Sequence, residues 1–335
     1  MLADIVISGW DWTVFVLAIL VALAIDLGVF HRKAHEVRFG EALGWSTLWF
    51  VLAISFGLVI APHMAGNWGR VARDEFITGY IIELALSMDN VFVIALIFSY
   101  FGVPLKYQHR VLFWGILGAL IMRGIMIGLG TALIQRFHFV LYILGAFLVV
   151  TGIRMVFAAS NEQVEPEKNI FIRLTRRFFP ITHEYHGAHF IIHEGGKWVL
   201  TPMALVLVMV ETTDLIFAID SIPAIFGVTT NPFIVFTSNV FAIMGLRSLY
   251  FVLAGAIGFF RYLKVGLSIV LCFIGAKMLI AHWHEISTTL SLLIVGTIII
   301  TSILISLVAA KRGDACGKER LPGLRDRLWT SCKTW

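Results

Sequence analysis

Five acidic residues lie inside two long apolar stretches of this chain: Glu83 and Asp89 in one, Glu211, Asp214 and Asp220 in the other. Asn90 follows Asp89 directly. A carboxylate at the centre of a bilayer costs about 2.5–3.5 kcal/mol even on the lenient insertion scale. Five of them must face an aqueous or protein-lined cavity and meet cations there. The chemistry this points to is passage or binding of a cation.

The type of ligand narrows the ion. Around the acids the sequence offers the amides of Asn90 and Asn239, hydroxyls such as Ser87 and Thr212, and backbone carbonyls. No histidine or cysteine is close to them in sequence. Hard oxygen sets suit magnesium, calcium or manganese rather than zinc or copper. Met88 and Met209 adjoin the acids and read as packing. The basic partners are Arg123 and Arg247, with Arg154 and Lys277 expected nearer inner helix ends, where they could snorkel. With Asp26, the spans hold six acids against four bases, a formal balance of −2. One divalent cation would neutralise that, and so would protonation.

On an ideal helix Glu83 and Asn90 fall about 20° apart, Glu211 and Asp214 about 60° apart, and Asp220 nearly opposite Glu211. An unbroken helix cannot aim all of these at one point. Pro223, three residues beyond Asp220, predicts a local break there that would expose carbonyls beside the carboxylates.

The elements that must hold these groups are membrane-spanning helices. The 335 residues are 59% hydrophobic and 14% charged, against about 25% charged in a soluble domain. Mean hydropathy is +0.89. At about 20 apolar residues per span, nine spans are expected: 12–30, 43–61, 76–101, 111–134, 138–158, 199–228, 232–258, 262–281 and 287–310. The first has Asp4 and Asp11 before or at its start rather than a basic region, so it reads as a helix and not as a cleaved signal. With the N-terminus outside, 19 of the 26 Lys and Arg residues fall on inner segments and 3 on outer loops, which favours an N-out, C-in chain with an odd number of helices. The net charge of +5 is therefore topological, and no nucleic-acid partner is expected. Cys272, Cys316 and Cys332 make no disulfide framework.

An internal duplication is visible. Ser87-Met-Asp89-Asn90-Val-Phe92 is similar to Thr212-Thr-Asp214-Leu-Ile-Phe217, Met122-Arg123-Gly124 to Leu246-Arg247-Ser248, and Gly152-Ile-Arg154-Met155 to Gly275-Ala-Lys277-Met278. Three helices per copy would place the copies upside down relative to each other, a common transporter plan with the site at the interface. The fold expected is an all-α polytopic membrane protein of about nine helices with an inverted 3+3 repeat. Residues 1–75 hold two N-terminal helices, 76–158 the first repeat, 159–198 a cytosolic loop, 199–281 the second repeat, 282–310 the last helix and 311–335 a basic cytosolic tail.

Other features read as structure. His189-Phe-Ile-Ile-His-Glu-Gly-Gly-Lys-Trp198 predicts a small hairpin, although His183, Glu184, His186, His189, His193 and Glu194 could also collect metal. His282 and His284, with Glu285, sit at an outer helix end. Gly124 to Gly128 permits close helix contact. No phosphate-binding loop, nucleophile elbow or zinc-protease motif appears, so neither an enzyme nor an ATP-driven pump is expected.

The stretches Leu86-Ser-Met-Asp89-Asn90-Val-Phe, Phe98-Ser-Tyr-Phe101, Glu211-Thr-Thr-Asp214-Leu-Ile-Phe-Ala-Ile-Asp220-Ser-Ile-Pro223 and Thr237-Ser-Asn-Val-Phe-Ala-Ile-Met-Gly-Leu-Arg247 resemble the TerC family, and its Alx branch in particular. The resemblance covers about residues 10–310. It implies a multi-pass protein of the bacterial inner membrane, a link to tellurite resistance and manganese export, and a cation site at Glu83, Asp89, Glu211, Asp214 and Asp220. With the oxygen donors above, Asn90 joins that set. The expected function is a secondary exporter of divalent manganese in exchange for protons, with manganese as substrate, no resident cofactor, and the lipid bilayer as its other partner. A membrane scaffold or stress-response factor with purely structural charges, and a calcium/proton exchanger, are the alternatives.

Overall fold

The computed structural model describes residues 7–25, 39–64, 68–137, 139–157, 169–254 (apart from 183, 188 and 195), 263–281 and 286–318. Apart from one hairpin, the regular structure of these residues is helical. A chain in lipid must satisfy every backbone N–H and C=O within itself, and a helix does so segment by segment. The order is α1 (Gly9–Ile25), α2 (Phe39–Ser55), a π-helical turn (Phe56–Ile60), α3 (Ala61–Met64), α4 (Arg70–Phe101), α5 (Leu105–Arg136), α6 (Phe139–Phe157), α7 (Ile170–Phe178), β1 (Ile191–Glu194), β2 (Lys197–Leu200), α8 (Pro202–Phe226), α9 (Pro232–Ala254), α10 (Leu263–Ile280) and α11 (Thr288–Lys318). Among the described residues seven helices are long and apolar enough to cross a membrane, the first running from Phe39 through the π-helical turn to Met64. Two shorter apolar helices, Gly9–Ala24 and Phe139–Met155, join them. Each of the nine expected spans coincides with one of these. The protein is an all-α polytopic membrane protein.

The boundaries of some elements differ from expectation. α4 begins at Arg70 rather than 76 and carries Arg73, Asp74 and Glu75 inside the helix. It ends at Gly102, whose φ of +63° lets its N–H cap the Phe98 and Ser99 carbonyls. α8 runs through Pro223 without the expected break. Proline so close to the end of a helix forfeits only the bond to the Ile219 carbonyl, and the last turn survives.

Two kinds of contact assemble the bundle. An aromatic cluster joins α1, α2, α4 and α9: Phe15, Phe56, Trp68, Phe76, Phe233 and Phe241 are all buried. Phe56 and Phe241 have ring centroids 5.0 Å apart, and the Trp68 indole donates to the Gly57 carbonyl at 3.1 Å in the π turn. The second contact is backbone to backbone. α6 and α10 run antiparallel, and a Cβ on Gly275 would lie 2.6 Å from the Gly145 carbonyl oxygen and 2.9 Å from the Val149 nitrogen. One on Gly152 would lie 2.8 Å from the Ser268 carbonyl. The close approach expected at Gly124 and Gly128 is not there: Gly124 has only an ordinary contact with the Phe236 ring, and Gly128 faces open space.

The 159–198 segment is described from residue 169. The hairpin is present: β1 and β2 pair antiparallel, with His193 opposite Trp198 and Glu194 opposite Lys197, and Gly196 has φ +77°.

Candidate cation site

Four helices each bring a polar side chain to one buried point. On α4, Glu83, Ser87 and Asn90 share a face at helical spacing and are all buried. α5 contributes Arg123, only 3% exposed. α8 contributes Asp214 and α9 contributes Asn239, both buried. The Arg123 guanidinium gathers them. It is ion-paired with Glu83. Its Nη2 donates to Asp214 Oδ1 at 3.0 Å and its Nη1 to Asn239 Oδ1 at 2.7 Å, while Nε approaches Asp214 Oδ2 at 3.4 Å. Asn90 Nδ2 donates to the same Asp214 Oδ1 at 2.9 Å. Asn239 Nδ2 donates to the Val235 carbonyl at 3.2 Å, which turns the amide oxygen toward the arginine.

Glu211 extends the cluster. It is half-buried and interacts electrostatically with Asp214. Its carboxylate lies over Gly118 of α5, in the space a Cβ there would need. Glu83, Asp214 and Glu211 against the one guanidinium leave a formal charge of −2. Glu83 Oε2, Ser87 Oγ and Asn90 Oδ1, all on the same face of α4, are buried with no hydrogen-bond partner among the described residues. Acceptors left in that condition cost about 1–3 kcal/mol each. They form a hard-oxygen set of the kind that suits an alkaline-earth or manganese ion.

The remaining sequence-predicted residues lie elsewhere. Asp89 is half-buried, one residue off the Glu83–Asn90 face, and Arg247 is buried; neighbouring groups engage both. Asp220 lies on another face of α8 and hydrogen-bonds with Thr151 of α6. Arg154 is exposed in the last turn of α6. Lys277 does not share Arg154's end of the bundle. Because α6 and α10 are antiparallel, it lies at the opposite end, in electrostatic contact with Glu75. Asp26 falls outside the described residues. Among those described, no group of three or more His, Cys, Asp or Glu side chains converges as a metal cage; Arg123 stands between Glu83 and Asp214.

Sequence reasoning missed a second polar cluster at the start of α4. Asp74 and Glu75 are buried. Thr289 of α11 donates to Asp74 Oδ2 at 2.6 Å, and Glu75 hydrogen-bonds with Thr229. The signal that could have found it was helical periodicity continuing upstream of residue 76. In the histidine-rich loop, His193 stacks edge-on against Trp198 at 5.1 Å and His189 is exposed; His183, His282 and His284 lie outside the described residues. Met209 packs in the core and accepts from Asn169 Nδ2 at 3.3 Å, and Met88 packs against the core.

Comparison with known proteins fits this architecture. The Integral membrane protein TerC family matches residues 69–314. An uncharacterized membrane protein of Myxococcus xanthus, STKORF319, is 50% identical over 303 residues, 90% of this chain and 92% of its own. The putative membrane-bound redox modulator Alx of Escherichia coli K12 is 43% identical over 308 residues, 90% of this chain and 96% of its own. An uncharacterized membrane protein of Rickettsia felis is 40% identical over 298 residues, 89% and 97% of the two chains. No solved structure matches. The chain belongs to the TerC family, and the multi-pass architecture and relatives are those of a bacterial inner-membrane protein.

Proposed function

We propose that this TerC-family protein is a secondary exporter of divalent manganese that returns protons in exchange. The observation that carries the reading is the buried Glu83–Arg123–Asp214 cluster, with its amide partners Asn90 and Asn239 and its formal charge of −2. A structural ion pair alone would be served by one acid per base. Here Arg123 pairs with two carboxylates, Glu83 and Asp214, a third, Glu211, interacts with Asp214, and beside them lie buried oxygens with no hydrogen-bond partner among the described residues.

In this conformation Arg123 plays the part of the cation. A manganese ion entering from the cytoplasm takes its place between Glu83 and Asp214, with Asn90 and Asn239 able to turn amide oxygens toward it. Glu211, beside Asp214, supplies a further oxygen ligand or takes up a proton as the ion leaves, and Asp89, one residue off that face of α4, serves as a second proton or ion station. Asp220, held by Thr151, serves as a separate station along α8. The antiparallel pairing of α6 and α10 supports an inverted repeat of α4–α6 and α8–α10, and the placement of basic residues supports the N-out orientation.

The test is manganese flux into proteoliposomes with internal pH recorded, parent against Asp89→Asn and Asp214→Asn. Flux lost in both variants, with protons moving oppositely in the parent, is the expected result. Variants that reconstitute normally and carry manganese as fast as the parent would sink the proposal. Calcium that competes on equal terms would shift the substrate to calcium. A well-folded parent that moves neither ion would leave the scaffold reading, the only one in which these charges are purely architectural.

A further inference from the structure

The 159–198 segment carries a feature that cation transport does not use. α7 has three distinct faces. Ile172 is 1% exposed and packs with Met203, Val206 and Met209 of α8. Ile170, Phe171, Leu174 and Phe178 form a second face and all project from the protein, Phe178 at 68% exposure. Arg173, Arg176 and Arg177 form a third and are exposed as well. At 100° per residue the apolar face spans about 100° and the arginine face a further 100° or so beside it. Phe179, directly after α7, and Ile191 and Trp198 on the hairpin are exposed apolar side chains of the same segment.

The height of α7 is set by its contacts. Met209 lies seven residues into α8, about 10 Å from the start of that helix. The Tyr185 hydroxyl, in the same segment, donates to the Phe101 carbonyl at the end of α4 at 2.6 Å. Asn169 caps α7 by accepting from the Phe171 and Ile172 amides at 2.9 and 3.3 Å. α7 is thus a capped, docked helix at the rim where α4 ends and α8 begins. Arg110, in the second turn of α5, reaches the same loop and stands over the Phe190 ring at 5.8 Å.

A short helix with bulky apolar side chains beside a row of arginines, at the level where spans end, has the make-up of an interfacial helix. We propose that α7 lies in the membrane interface, with Phe171, Leu174 and Phe178 among acyl chains and Arg173, Arg176 and Arg177 on anionic phospholipid headgroups. The occupant is lipid rather than a soluble protein for two reasons. The face adjoins the ends of the spans, and its apolar and cationic halves match the two layers of a leaflet in order. Each arginine near an anionic surface strengthens contact by roughly fivefold. The inference is independent of what the protein transports.

The full-length protein tests it, with Cys272, Cys316 and Cys332 changed to Ser and one spin label at Leu174→Cys, Phe178→Cys or Glu184→Cys. The protein is reconstituted into phosphatidylcholine vesicles with and without phosphatidylglycerol. Oxygen should relax the labels at 174 and 178 more than a water-soluble nickel chelate does, with the reverse at exposed 184. Adding phosphatidylglycerol should deepen the first two labels. Arg173→Gln/Arg176→Gln/Arg177→Gln should lose that deepening, and the corresponding triple Lys variant should keep it. Labels at 174 and 178 that behave like 184 in phosphatidylglycerol vesicles overturn the proposal. So does a triple Gln variant with the parent's response to phosphatidylglycerol.

Discussion

Replacing Arg123 by Met is the most informative single perturbation of the buried cluster. Methionine keeps an unbranched apolar stem and removes the guanidinium with its charge. Arg123, Glu83 and Asp214 are all buried, at 3, 0 and 4% exposure. Removal of one partner from a buried ion pair costs about 3–5 kcal/mol, because the other charge is left uncompensated. Here two carboxylates are stranded, so the upper part of that range is expected. At roughly 2 °C per kcal/mol for a large chain, melting should fall by about 10 °C. The loss should be conditional. The carboxylates that Arg123 vacates can take a divalent ion without evicting a guanidinium, so manganese should stabilise Arg123→Met more than the parent. At a hundredfold excess over Kd the gain is about 2.7 kcal/mol. Arg123→Met/Glu83→Gln/Asp214→Asn removes the stranded charges with little change of shape; it should recover most of the lost stability and not respond to manganese. Thermal unfolding in detergent, followed by tryptophan fluorescence across a manganese titration, reads all three. Arg123→Met as stable as the parent, or a triple variant as responsive to manganese as the single one, would refute the reasoning.

Two glycines separate architecture from transport. Gly275→Ala puts a methyl against the Gly145 carbonyl and the Val149 nitrogen; backbone cannot yield, α6 and α10 must part, and unfolding should come about 1–3 kcal/mol sooner. Gly118→Ala instead meets the Glu211 carboxylate, the free end of a half-buried side chain that can swing away. Stability should change by less than about 1 kcal/mol, while manganese flux in proteoliposomes falls because Glu211 has lost its place beside Asp214.

Much of this arrangement is legible in the sequence for definite reasons. Hydropathy locates the spans because lipid leaves helices little choice. The 100° rule puts Glu83 and Asn90 on one face, and both meet the Arg123 cluster, Asn90 through Asp214. The misses also have physical causes. Arg73, Asp74 and Glu75 depress hydropathy and push the apparent start of α4 to 76, yet helical hydrogen bonding is indifferent to charge. The group that satisfies Asp74 is Thr289, 215 residues away, and no local pattern announces it. Asp220 belongs to the acid row by sequence, but the face of α8 on which it lies belongs to α6 and Thr151. Pro223 reads as a break only to a reader who does not know that α8 ends three residues later.

Which acid takes which base is also beyond what spacing can answer, and that pairing matters most for mechanism. Arg123 and Asp214 come from different halves of the chain, α4–α6 and α8–α10, as do Asn90 and Asp214, and Arg123 and Asn239. Glu83 and Arg123 come from the same half. Movement of one half against the other therefore breaks the contacts to Asp214 and Asn239 together, whereas the Glu83–Arg123 pair lies within one half. An ion that competes with Arg123 for Asp214 acts on the buried polar bonds that join the two halves at the site. In the proposed exporter, loading the site and releasing the two halves are then one event, and the energy of the buried pair is what the ion must match to make it happen.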